Sequence, residues 1–179
     1  MNQLSKLHIL FIIPARGGSK GVPRKNLRLI GGIPLVARAI RTARLSSRMG
    51  DLDARIVCST DDEEIASVAR CWGAEVPFMR PANLASDEAK SMDVVTHLLQ
   101  SLDKTFDLVA LIQPTSPLLE PRDVLSVLEL HVKTEDPVIS VAKDPHPIAW
   151  SHTKDSKGRL SPVLKKDIPH QRQLTDSTF

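Results

Sequence analysis

The chain has 179 residues, 41% hydrophobic and 25% charged, with a formal net charge of +3. That is the profile of a soluble globular domain with enough chain for a real core. The small basic excess suits polyanionic small ligands and nucleic acid alike. However, aromatic residues are 3% of the chain, with no Tyr, so the basic-aromatic interleaving of a single-strand-binding surface is absent and nucleic acid is not an expected partner. Cys58 and Cys71 sit inside apolar patterns rather than at paired metal spacing. This argues against a disulfide framework or a zinc site and for a reducing, cytoplasmic setting. The longest N-terminal apolar run, Ile9–Ile13, is too short for a signal-peptide core or a membrane span.

In chain order, short β-rich runs alternate with helical ones, without repeats or low-complexity tracts. Leu7–Ile13 is a continuous apolar, β-branched run, expected of a strand covered on both faces. After a loop, Pro34 opens a helix whose Leu35, Val36, Ala39, Ile40 and Ala43 recur at helical spacing. Arg55–Ser59 reads as a second buried strand. Thr60 with Glu63 makes a capping-box pattern ahead of Ile65, Val68 and Ala69. Glu75–Met79 is a short strand candidate, and Met92–Leu102 a helix with Val95, Leu98, Leu99 and Leu102 on one side. Leu108–Ile112 is another strand, followed by a Pro-rich loop, and Pro121 starts a helix carrying Val124, Leu125 and Leu128. Val138–Ala142 is the last buried-strand candidate, and the tail from His152 is polar and weakly patterned.

This alternation implies parallel pairing through right-handed crossovers, hence one α/β domain over residues 1–179: a three-layer sandwich with a mainly parallel, Rossmann-like sheet. In such sheets ligands bind beyond the carboxyl ends of the strands. Two loops leaving strand ends carry unusual chemistry, Pro14–Asn26 and Gln113–Pro117. If their strands are parallel neighbours, both face one crevice.

The first loop reads PARGGSKGVPRKN. Gly17, Gly18 and Gly21 allow positive φ and close approach of a ligand to the backbone. Successive N–H groups there can form an anion nest, and Arg16, Lys20, Arg24 and Lys25 add fixed cations. A triphosphate requires this combination, because its charge must be neutralised before a nucleophile can approach. The loop lacks the Gly-Lys-Ser/Thr of a Walker A sequence and the spacing of a dinucleotide fingerprint. A flexible basic turn is the bland alternative, which the whole string following a buried strand outweighs.

IPARGGSKGVPRKN resembles the signature of the acylneuraminate cytidylyltransferases, enzymes that make CMP-sialic acid and related CMP-nonulosonates. RPANLASDEAKS (Arg80–Ser91) and QPTSPL (Gln113–Leu118) agree with it in order. The resemblance implies the nucleotide-diphospho-sugar transferase fold, with CTP and a nine-carbon 2-keto sugar acid as substrates, Mg²⁺ as cofactor and a homodimer in the full-length form. It places Ala15, Arg16, Gly17, Gly18, Ser19, Lys20 and Asn26 on the nucleotide, with Arg16 and Lys20 as the electrostatic catalytic groups. Arg80, Ala89 and Ser91 fall where cytosine is recognised, and Gln113 and His146 near the sugar. Taken singly, Arg80 reads better as a solvated charge, Ser91 as a helix cap and Gln113 as part of a rigid turn, and only their joint occurrence with the first loop outweighs this; His146 reads equally as a turn histidine.

The resemblance also marks departures. Family members continue past this point with an Asp-bearing metal site, so no metal ligand is assigned. Asp61 and Asp62 read better as helix-initiating residues, and Asp87 as a residue ordering its loop. Where sialic-acid enzymes carry a basic residue after the His-Pro pair, this chain has Ile148, Ala149 and Trp150. That leaves legionaminic and pseudaminic acids open beside sialic acid. A truncated, non-catalytic nucleotide-binding relative is the rival reading.

Overall fold

The computed structural model describes residues 3–142 and 151–164. The chain divides into two compact units, Met1–Val138 and Ile139–Phe179.

The first unit is built on strand β1 (His8–Pro14), where Ile9 to Ile13 are all fully buried. A short antiparallel pair, β2 (Leu29–Ile30) and β3 (Ile33–Pro34), precedes helix α1 (Leu35–Gly50). Pro34, with φ −55°, is the residue capping α1 rather than part of its first turn, and Asp51 closes the helix in the left-handed region with its N–H on the Ser47 carbonyl. Strand β4 (Asp53–Ser59) and helix α2 (Glu63–Cys71) follow, then α3 (Ser91–Ser101), β5 (Leu108–Leu111) and α4 (Pro121–Thr134). Pro121 takes the first position of α4, where its missing N–H costs nothing, and the Asp123 carboxylate accepts from the Glu120 N–H at 3.0 Å.

Among the described residues the main sheet has the order β4-β1-β5, both pairings parallel. The period of two along β1 sorts its side chains between two cores. Ile9, Phe11 and Ile13 pack with Val36 and Ile40 of α1, Ile65 and Ala69 of α2, and Val124 and Leu128 of α4. Leu10 and Ile12 pack on the other face with Val57, Val95 and Leu98, the last two from α3. This is the expected three-layer α/β sandwich. The chain leaves β1 toward β4 on one side and returns to β5 on the other, so the strand order reverses between β1 and β5. Such a reversal opens a crevice above the strand ends.

Three sequence expectations change. The N-cap of α2 is Asp62, not Thr60: its carboxylate accepts from the Glu64 and Ile65 N–H groups at 2.9 and 3.0 Å, while the Thr60 hydroxyl accepts from the Asp62 N–H. Glu75–Met79 contributes only a bridge at Glu75 opposite Val57, because Pro77 cannot donate to a ladder. Val138–Ala142 forms no strand, and Ile139 and Val141 are 80% and 60% exposed. A β-branched run becomes a strand only where a neighbouring ladder receives it, and among the described residues none does.

The described part of the second unit contains the hairpin β6 (His152–Lys154) and β7 (Leu160–Pro162), wholly exposed. Its turn is organised by Asp155, which accepts from the Lys157 and Arg159 N–H groups at 2.9 Å. No helix among the described residues is long and apolar enough to cross a membrane.

Candidate functional site

The loops leaving β1 and β5 meet at a cavity of about 210 Å³ beyond the carboxyl ends of these strands. From the first loop Arg16, Ser19, Lys25 and Asn26 line it, and from the second Gln113, Pro114 and Thr115. Its remaining wall is the segment before and into α3, with Arg80, Asp87, Ala89 and Ser91. The two loops predicted to share a crevice do share one, because β1 and β5 are parallel neighbours.

The glycine-rich loop is more bonded internally than its composition suggests. Asn26, 5% exposed, donates from Nδ2 to the Arg16 carbonyl at 2.8 Å, so it braces the loop from beneath. The Gly17 N–H donates to Asp61 Oδ1 at 3.0 Å, and the Ser19 N–H to the Gly17 carbonyl at 2.9 Å. None of Gly17, Gly18 and Gly21 has positive φ; the left-handed residue of the loop is Arg24, at φ 53°. Gly17 is required for space instead, since a Cβ there would lie 2.8 Å from Asp62 Oδ2 and 2.9 Å from Asp62 Cβ.

The loop's cations are held in two ways. Arg16 donates to Asp87 Oδ1 at 2.5 Å and to the Ala85 carbonyl at 3.3 Å, and Lys20 closes on Asp87 Oδ2. These bonds hold the Asp87 carboxyl below the usual carboxylate range, Lys20 having the larger effect. Arg24 turns to Glu64 at 2.5 Å and Asp62 at 3.6 Å on α2. Among the described residues Lys25 has no ion-pair partner, and it faces the cavity.

Arg80 is only 6% exposed, which removes the solvated-charge alternative. Its guanidinium donates to the Ser59 hydroxyl at 3.0 Å, to the Leu84 carbonyl at 3.4 Å and closely to the Ser59 carbonyl. Burial lowers its pKa, and Asp61 opposes that shift. Beneath it, burial pushes the Cys58 thiol up to about 12, so the thiol is neutral at physiological pH and is no nucleophile.

Of the nucleotide residues inferred from sequence, Arg16, Ser19, Asn26, Arg80, Ala89 and Ser91 are brought together at the cavity, as is Gln113. Ala15 is fully buried, its N–H on the Ser59 carbonyl at 2.9 Å, so it belongs to the core under the loop. Gly17, Gly18 and Lys20 lie on the loop outside the cavity lining. Ser91 begins α3 as its first residue, and Lys90 is the cap. His146 lies outside the described residues. Sequence reasoning missed Asp61, which holds the Gly17 N–H, and the pairing of Asp87 with the loop. For Asp87 the available signal was a lone acid in a loop string, facing two cations far away in the chain.

Residues 10–164 match the profile of the family described as Cytidylyltransferase. The chain belongs to the cytidylyltransferase family. It is 41% identical over 166 residues to the CMP-N,N'-diacetyllegionaminic acid synthase of Legionella pneumophila, covering 90% of this chain and 70% of that protein. It is 45% identical over 119 residues to a pseudaminic acid cytidylyltransferase of Campylobacter jejuni, covering 65% of this chain and 49% of the relative. A solved CMP:2-keto-3-deoxy-manno-octonic acid synthetase complexed with CTP superposes with a TM-score of 0.56 at 23% identity, over 71% of this chain and 48% of that one. At that identity the likeness speaks for the fold, and it agrees with the sandwich described above. The chain thus spans between about half and 70% of these relatives.

Proposed function

We propose that this cytidylyltransferase-family chain binds CTP above β1 and β5 and transfers its CMP moiety to the anomeric hydroxyl of a nonulosonic acid. The observation that carries the reading is that Arg16 and Lys20 converge on a single anionic position, that of the Asp87 carboxylate, which lines the cavity. The relatives' names point to a nonulosonate, and they favour legionaminic or pseudaminic acid.

In the reaction the anomeric oxygen attacks the α-phosphorus, a new P–O bond forms, the bond to the β-phosphate oxygen breaks, and pyrophosphate leaves with its electron pair. The hydroxyl proton passes to solvent. Catalysis of this kind is positioning plus charge neutralisation. Arg16 and Lys20 would balance charge growing on the leaving pyrophosphate, and Lys25 would add a third cation. Ala89 and Ser91 would face the base, with Arg80 holding that wall in place. Gln113, at the end of β5, would meet the sugar side.

Mg²⁺ fits this site only in one form. Among the described residues no group of three or more His, Cys, Asp or Glu side chains could hold a metal ion. Magnesium commonly keeps several waters and is held largely by substrate phosphates. It would enter with CTP and supply further neutralisation of phosphate charge.

The deciding experiment is pyrophosphate release from CTP and Mg²⁺ with a panel of legionaminic, pseudaminic and sialic acids. Release with one acid establishes the reaction and its substrate together. CTP binding without release from any acid would instead support the non-catalytic reading. Lys20→Ala is expected to slow release more than it weakens CTP binding.

A further inference from the structure

We propose that Asp87 is a resident counter-ion of the phosphate loop, occupying the anion position defined by Arg16 and Lys20 until a polyphosphate displaces it. The inference rests on the reading of that loop as a phosphate site and adds a competitor to it.

Both oxygens of the Asp87 carboxylate are committed, one to each cation: Oδ1 to Arg16 at 2.5 Å and Oδ2 to Lys20. A phosphate group would ask the same two donors for the same bonds. The contact joins segments 71 residues apart, and the second Arg16 bond, to the Ala85 carbonyl, ties the same two segments. The charged side chains paired with Asp87 are thus both cations of the loop. The nearby acids Asp61, Asp62 and Glu64 are engaged with the Gly17 N–H, with the α2 N-terminus and with Arg24.

The pairing is built to exchange. Side-chain exposure is 31% for Arg16, 38% for Asp87 and 84% for Lys20, so water screens these pairs and is ready to solvate a released carboxylate. A polyphosphate carries more charge than one carboxylate and is favoured by both cations. It also repels Asp87 if the carboxylate stays, since like charges at contact distance oppose each other. Displacement has a structural consequence as well. Asp87 lies just before Ala89 and Ser91, so its release removes the two carboxylate links between that wall and the phosphate loop and leaves the Arg16 bond to the Ala85 carbonyl.

The test is calorimetric titration of inorganic pyrophosphate, without divalent metal, into the wild-type chain, Asp87→Asn and Arg16→Ala. Asp87→Asn keeps the shape and removes the charge, and it should bind pyrophosphate roughly threefold to tenfold more tightly. Asp87→Ala should shift affinity in the same direction and stands in if the amide variant folds poorly. Removal of a residue that merely positions Arg16 would lower affinity, whereas a gain in both Asp87 variants shows that this carboxylate opposes the incoming anion. Unchanged or weaker binding in both Asp87 variants, with Arg16→Ala still weakening it, overturns the counter-ion and leaves the phosphate site standing. Pyrophosphate binding indifferent to Arg16→Ala removes the phosphate-site reading, and the counter-ion with it.

Discussion

Two arginines above neighbouring strand ends show how one residue type serves two purposes. Arg80, beside the end of β4, is buried and bonded to the Ser59 hydroxyl and to the Ser59 and Leu84 carbonyls, all neutral acceptors of the protein itself. Arg16, at the end of β1, is partly exposed and pairs with a carboxylate that water also reaches. A guanidinium whose partners are backbone oxygens is part of the scaffold, since nothing can replace them without breaking the fold. One whose partner is a screened carboxylate stays available to a stronger anion.

The sharpest way to break this comparison is Arg80→Ala. It should destabilise the protein by about 2–4 kcal/mol in urea unfolding, because it empties a buried site and strips charged donors from the Ser59 and Leu84 oxygens. Arg80→Lys should recover only part of that, since a point ammonium cannot reproduce the planar fork. Full stability in Arg80→Ala with lost CTP affinity would reverse the assignment and make Arg80 a ligand contact.

Arg16→Ala should behave in the opposite manner. CTP affinity should fall roughly tenfold to a hundredfold, as expected for losing a charged hydrogen bond to phosphate. Stability should stay within about 0.5 kcal/mol of wild type, as for other surface changes. Parallel CTP titrations and urea melts of the two variants read both halves of the comparison. Equal losses in both assays for both arginines would mean the distinction between scaffold and site does not hold.

That distinction was only half legible in the sequence. β1, α1, β4 and α4 follow from long apolar runs or strong helical periods, which are local signals. The crevice followed too, because parallel neighbours with loops at their carboxyl ends can meet only there. Partners across the chain were not legible. Arg80 reads as an ordinary charge until Ser59 and Leu84 close over it, and Asp87 reads as a loop residue until Arg16 and Lys20 arrive. Val138–Ala142 illustrates the same gap for backbone: its composition favours a strand but cannot name the ladder that would receive it. The loop glycines read from sequence as suppliers of positive φ, yet none of the three has it, and only Gly17 is held to glycine by close contact.

This last point yields the smallest expected effect, within the loop itself. Gly17 and Gly18 are neighbours of identical composition, and neither needs positive φ, so alanine is conformationally acceptable at both. Their surroundings differ. A Cβ on Gly17 collides with the Cβ and carboxylate of Asp62, the residue that caps α2, whereas a Cβ on Gly18 meets nothing within 4 Å. Gly17→Ala must therefore push the loop away from α2 or disturb the cap, and should cost about 1–3 kcal/mol. Gly18→Ala should stay within about 0.5 kcal/mol, with a small gain available from a stiffer unfolded chain. If urea melts instead show equal losses for both, the glycines are kept for backbone freedom that a ligand demands, and the close contact with Asp62 is not what fixes Gly17.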